Sequence, residues 1–112
     1  MRKLTIVPLL AIAAMLAIPA LASSASAATI KLGDSFFSPD SKTITVGTKV
    51  KFKWTGKKKH NVTKKSGPGG AFNSITTKSD GVNFVKTFNK AGVYKIFCTV
   101  HPEMHLKIKV KR

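Results

Sequence analysis

A thiol, an imidazole and a thioether fall within seven residues near the end of the chain, in the run Cys98-Thr99-Val100-His101-Pro102-Glu103-Met104. A loop that tight can turn the side chains of Cys98, His101 and Met104 toward one point, as a metal ligand set requires. Alternation agrees with this. Tyr94, Ile96 and Cys98 share one parity, and Met104, Leu106, Ile108 and Val110 share another, so Cys98 and Met104 fall on the core-facing sides of the flanking strands.

A fourth donor must come from elsewhere, and His60 stands out because it follows the Gly56-Lys57-Lys58-Lys59 turn and opens the strand-like run His60-Asn61-Val62. Two imidazoles, one thiolate and a weak axial thioether describe a type 1 copper site, which serves electron transfer. Zinc is the chemical competitor. Thioether sulfur binds zinc poorly, and closed structural zinc sites use Cys and His. Cys98 is the only cysteine, so it can form no disulfide within the chain, and an oxidisable thiol outside the cytoplasm must be buried, paired elsewhere or metal-bound.

The elements that must hold these residues read as short strands. Val50, Phe52 and Trp54 alternate with Lys49, Lys51 and Lys53, and Leu106, Ile108 and Val110 alternate with Lys107, Lys109 and Lys111. One face of each strand is core and the other is lysine in water. Weaker strand patterns cover Thr29 to Leu32, Thr43 to Val46, His60 to Thr63, Val82 to Phe88 and Val93 to Cys98, with Gly, Pro, Asp and Ser clusters between them. Strands of this length and spacing predict an all-β sandwich or small barrel. The irregular stretch Gly67 to Ser79 has room for a short helix or an extra strand. Trp54 and Phe36, Phe37, Phe52, Phe72, Phe84, Phe88 and Phe97 are expected in the core. Asn61-Val62-Thr63 also matches a glycosylation sequon, a pattern frequent by chance.

The chain has 112 residues, 20 of them Lys or Arg and 4 Asp or Glu, for a formal charge of +16. Residues 1–27 open with Arg2 and Lys3, continue through an apolar stretch from Leu4 to Ala22, and close on Ala25-Ser26-Ala27. That layout predicts a secretory signal peptide cleaved near Ala27, and an uncleaved membrane anchor is its alternative. Residues 28–112 then form one small domain outside the cytoplasm, in a periplasm or at the outer face of the cytoplasmic membrane. They keep a net charge of +14. A large enzyme with its own substrate domain is excluded by size.

With these residues in view, the chain resembles the small type 1 (blue) copper proteins of the cupredoxin family, specifically the amicyanin, pseudoazurin and plastocyanin group. The likeness rests on Trp54, His60-Asn61-Val62, Gly92-Val93-Tyr94 leading to Cys98, and Cys98-x-x-His101-x-x-Met104, whose short Cys-to-Met spacing is nearest to amicyanin. It implies a Greek-key β-sandwich of seven or eight strands, one copper ion held by His60, Cys98, His101 and Met104, and an Asn61 that does not touch the ion but whose amide bonds the backbone near Thr99, tying the two ligand loops together. It further implies that the His101 edge is exposed inside an apolar collar, for which Pro102 and Pro68 to Ala71 are candidates. Glu103 and His105 depart from the family's pattern, and His105 is expected on the surface.

The function expected on these grounds is a soluble, monomeric one-electron carrier that is not an enzyme, with copper storage or delivery as the alternative. The positive field predicts redox partners with acidic docking surfaces, or docking near an anionic membrane, with Lys57, Lys58 and Lys59 beside His60 as contacts. The lysines alternate along strand exteriors instead of clustering with aromatics, which argues against nucleic acid.

Overall fold

A computed structural model describes residues 26–112, so the expected leader lies almost wholly outside the described residues. Among the described residues there is no helix, and eight strands form two four-stranded sheets. One sheet is built from β1 (Ala27–Gly33), β2 (Phe36–Ser38), β4 (Thr48–Trp54) and β6 (Gly81–Phe88), in the order β2-β1-β4-β6. The other is built from β3 (Ser41–Thr45), β5 (Thr63–Ser66), β7 (Gly92–Phe97) and β8 (His105–Lys111), in the order β3-β8-β7-β5. β1 runs parallel to β4 and β3 parallel to β8, while the other pairs are antiparallel. This is the expected all-β sandwich.

The lysine alternation decides which face of each strand is buried. Thr48, Val50, Phe52 and Trp54 of β4 and Leu106, Ile108 and Val110 of β8 point inward, and every intervening lysine is exposed. The two inner faces close on one core with Ile30, Leu32, Phe37, Phe88, Tyr94 and Ile96. Cys98 and Met104 belong to the same core.

Three expectations need correction. Phe36 is about half exposed instead of buried. It sits on the short edge strand β2 after the turn at Asp34-Ser35, and its ring lies over Gly33, where a Cβ would collide with it. The strand expected at His60 to Thr63 starts only at Thr63, since His60 makes a single isolated bridge to Thr77. The Gly67 to Ser79 stretch holds no helix. It returns alongside the His60 to Thr63 segment, bridging Thr63 to Asn73 and His60 to Thr77.

Candidate metal centre

Both sides of the centre are loops closed by backbone hydrogen bonds. β7 ends at Phe97, and the chain turns back into β8 with the Cys98 amide donating to the Met104 carbonyl at 3.2 Å and the Met104 amide to the His101 carbonyl at 2.8 Å. This places His101, Pro102 and Glu103 at the tip, with Cys98 and Met104 buried at its two feet. On the other side, the chain leaves β4 at Trp54 and reaches His60 through the exposed Lys57, Lys58 and Lys59. Trp54 Nε1 donates to the His60 carbonyl at 3.1 Å, and His60 pairs with Thr77 through two backbone bonds.

Those constraints bring ligand atoms of His60, Cys98 and His101 within 4.8 Å of one another. Cys98 Sγ and His101 Nδ1 are 3.8 Å apart, and the two imidazole rings have centroids 4.8 Å apart. A nitrogen and a sulfur at about 2.0 and 2.3 Å from one first-row metal ion, spread trigonally, would stand about 3.7 Å apart. His60 is fully buried, and its Nδ1 has no hydrogen-bond partner. Leaving a buried polar atom unpaired is costly, and a metal ion at that position removes the cost. Donor set and spacing therefore fit a metal, and the mixture of imidazole, thiolate and nearby thioether fits copper.

The Asn61 side chain links the two loops. Its Oδ1 accepts from the Thr99 amide at 3.1 Å and its Nδ2 donates to Thr99 Oγ1 at 2.7 Å. The same Nδ2 donates to Thr76 Oγ1 at 2.9 Å, and Oδ1 accepts from Thr63 Oγ1 at 2.8 Å. The Asn61 backbone amide reaches Cys98 Sγ at 3.4 Å, so the thiol has a hydrogen-bond donor as well as the His101 imidazole beside it. Fully engaged and buried, Asn61 cannot serve as a glycosylation acceptor in the folded protein.

Asp34 is the participant that the sequence did not reveal. Its Oδ1 lies 3.0 Å from His60 Nε2 and accepts from the backbone amides of Lys57 and Lys58, each at 2.9 Å. Those partners hold its carboxyl at about 2 against an ordinary 3.8, the Lys58 amide contributing most, then the His60 ring, then the Lys57 amide. A carboxylate with a depressed folded pKa stabilises the fold above its unfolded value and loses that contribution as pH falls through the folded one. Asp34→Asn is therefore expected to be less stable than wild type at neutral pH when both are metal-free. The difference should narrow as pH falls from about 4 to about 2. Denaturation followed by Trp54 fluorescence checks this, and a difference independent of pH would contradict it.

Of the remaining expected site residues, Lys57, Lys58, Lys59, Pro102 and Glu103 are exposed at this end, and His105 is exposed at the start of β8. His101 is half-buried, the least enclosed of the three converging side chains. Pro68 to Ala71 do not flank it. Pro68 packs on Gly92, at the end of β7 away from Cys98, because β5 runs from Thr63 opposite Phe97 toward Ser66 opposite Lys95. Val100 and Phe36 are among the apolar groups exposed here instead, and Phe36 shares a hollow with Glu103, Met104 and His105.

Residues 24–111 match the family described as copper binding proteins, plastocyanin/azurin family. Among solved structures, the reduced state of an amicyanin variant aligns at 25% identity over 81% of this chain and 86% of its own, with a TM-score of 0.66. A purple cupredoxin from Nitrosopumilus maritimus aligns at 29% identity over 75% of this chain and 99% of its own, with a TM-score of 0.64. A copper-containing nitrite reductase from Thermus scotoductus shares the fold over 87% of this chain and 25% of its own, at 24% identity and a TM-score of 0.68. No curated protein matches the chain.

Proposed function

The chain belongs to the plastocyanin/azurin family of copper-binding proteins, and on that premise we propose that it is an exported, soluble one-electron carrier operating between redox proteins. The observation that carries this reading is the convergence of His60, Cys98 and His101 on one point, with Met104 buried at the foot of the same loop. Copper, when bound, supplies a one-electron couple. His60 and His101 would hold it through Nδ1, Cys98 through its thiolate, and Met104 through its thioether. The Asn61 and Thr99 bonds restrain both loops, so the ligands need move little when the charge of the ion changes. The half-buried His101 ring is the edge that a partner's redox group can approach.

Storage or delivery is the competing reading. Handing a metal on requires ligands that an incoming donor can reach, whereas His60 and Cys98 are fully buried and Met104 nearly so. A Cu(I) chelator separates the two. A carrier retains its copper after reduction over the time of many transfer cycles, and loss of the ion within seconds of reduction would favour delivery.

The distribution of charge refines the choice of partner. All four carboxylates lie at the end of the sandwich that holds the centre. Asp34 follows β1, Glu103 is in the ligand loop, Asp40 precedes β3, which starts beside β8, and Asp80 precedes β6, whose Gly81 pairs with Trp54. Lysines cover the outer strand faces. A partner with an acidic docking surface, protein or anionic membrane face, is then steered by the whole positive field, while the contact itself is made by Val100, Pro102, Phe36 and the Lys57 to Lys59 turn. Oxidation of the reduced protein by ferricyanide, an anionic oxidant, should slow as salt is added. Reversing the three turn lysines to glutamate should lower the low-salt rate constant by about tenfold. A rate that rises with salt would contradict the steering.

A further inference from the structure

We infer that Asp34 is a positioning residue for the centre: its carboxylate holds the His60 ring with Nε2 protonated, so that Nδ1 is the bare donor, and its charge favours the more oxidised state of the bound ion. The inference rests on the copper-carrier reading above and adds to it a determinant of the reduction potential.

The geometry assigns this role from several directions. The two ring nitrogens of His60 have opposite surroundings: Nε2 meets Asp34 Oδ1 at 3.0 Å, while Nδ1 is buried without a partner. A carboxylate only accepts, so Nε2 carries the hydrogen, and in the neutral ring that a metal ligand must be, Nδ1 keeps its lone pair. The carboxylate is itself fixed by the turn that delivers His60, through the Lys57 and Lys58 amides at 2.9 Å and a second Lys57 bond to Oδ2 at 3.1 Å. Gly56 makes room for it, since a Cβ there would run into the Asp34 carboxylate and backbone amide. Ser35, the next residue, adopts a left-handed φ of 73°, uncommon for a residue with a side chain, so the β1 to β2 turn accepts a cost to present Asp34 here. A group that merely capped the lysine turn would have no need of the ring contact.

A negative charge bonded to a ligand imidazole makes that imidazole a stronger donor and stabilises the ion with the higher charge. Removing the charge while keeping the shape, as in Asp34→Asn, should lower the affinity for Cu(II) relative to Cu(I) by about tenfold, the lower end of what an outer partner contributes. For a one-electron couple that is a rise of about 59 mV in reduction potential.

The experiment is a spectroelectrochemical titration of the copper-loaded full chain, comparing wild type, Asp34→Asn, Asp34→Ala and Asp80→Asn. The expected result is an intense visible band in wild type and Asp34→Asn, an upward shift for Asp34→Asn and Asp34→Ala with additional loss of Cu(II) affinity in the latter, and a much smaller shift for Asp80→Asn. Nitrogen NMR of the unsubstituted protein in the Cu(I) state needs no variant to fold, and should show His60 protonated at Nε2. A blue wild type whose potential and Cu(II) affinity are unchanged by Asp34→Asn would overturn the role of Asp34 alone, as would an equal shift from Asp80→Asn, whereas a His60 proton on Nδ1 would overturn both that role and the ligation of copper by His60 Nδ1. A wild type with no thiolate band would overturn the carrier reading and this inference together.

Discussion

Cys98→Ser is expected to give a folded protein that no longer turns intensely coloured with Cu(II). The colour of a type 1 site is charge transfer from thiolate to Cu(II), and Cys98 is the only thiol in the chain. Its Sγ is fully buried, 3.8 Å from His101 Nδ1 and bonded by the Asn61 amide. Serine keeps the size and can still accept from that amide, so the core should survive while the soft, polarisable donor is lost. Titration of the metal-free variant with Cu(II), followed by visible absorption, should show no intense band. The redox wave of the wild type should disappear with it. Colour persisting in the serine variant would mean that the metal sits elsewhere.

The second large effect is on stability. Asn61→Ala should destabilise the metal-free protein by about 3 kcal/mol, because it removes four side-chain hydrogen bonds at once. The Thr99 amide and the Thr63 and Thr76 hydroxyls each lose a partner, and the alanine leaves a void at a site only 2% exposed. Urea unfolding measures the loss directly. Copper should restore part of it, since an ion held by His60 and by the 98–104 loop reconnects the two loops from the other side. A variant within about 0.5 kcal/mol of wild type would show that the loops are held together without this side chain.

What could be read in the sequence was local. The alternation of Val50, Phe52 and Trp54 with lysine sets the buried face of β4, and the same pattern sets β8. The 98–104 spacing needs only one loop to bring its donors together. Asn61 and Thr99 were accessible only through the resemblance, since nothing in either residue's own neighbourhood points to the other. Asp34 had no signal of either kind. It lies 26 positions before His60, in a segment that reads as an ordinary turn, and only the docking of the β1 to β2 turn against the lysine turn gives it a role. Phe36 and Pro68 depart from the expected positions for a related reason. Composition marks them as apolar, but an edge strand exposes Phe36, and the direction of β5 carries Pro68 to the far end. The carboxylates, scattered through the sequence, are gathered at one end by strand direction alone.

If these residues hold copper for reversible electron transfer with little rearrangement, voltammetry of the copper-loaded protein on an electrode will show it. A one-electron wave with closely spaced oxidation and reduction peaks, persisting over many cycles and at fast sweeps, is the expected result. A wave that is widely split, or that decays as copper leaves the reduced protein, would contradict it.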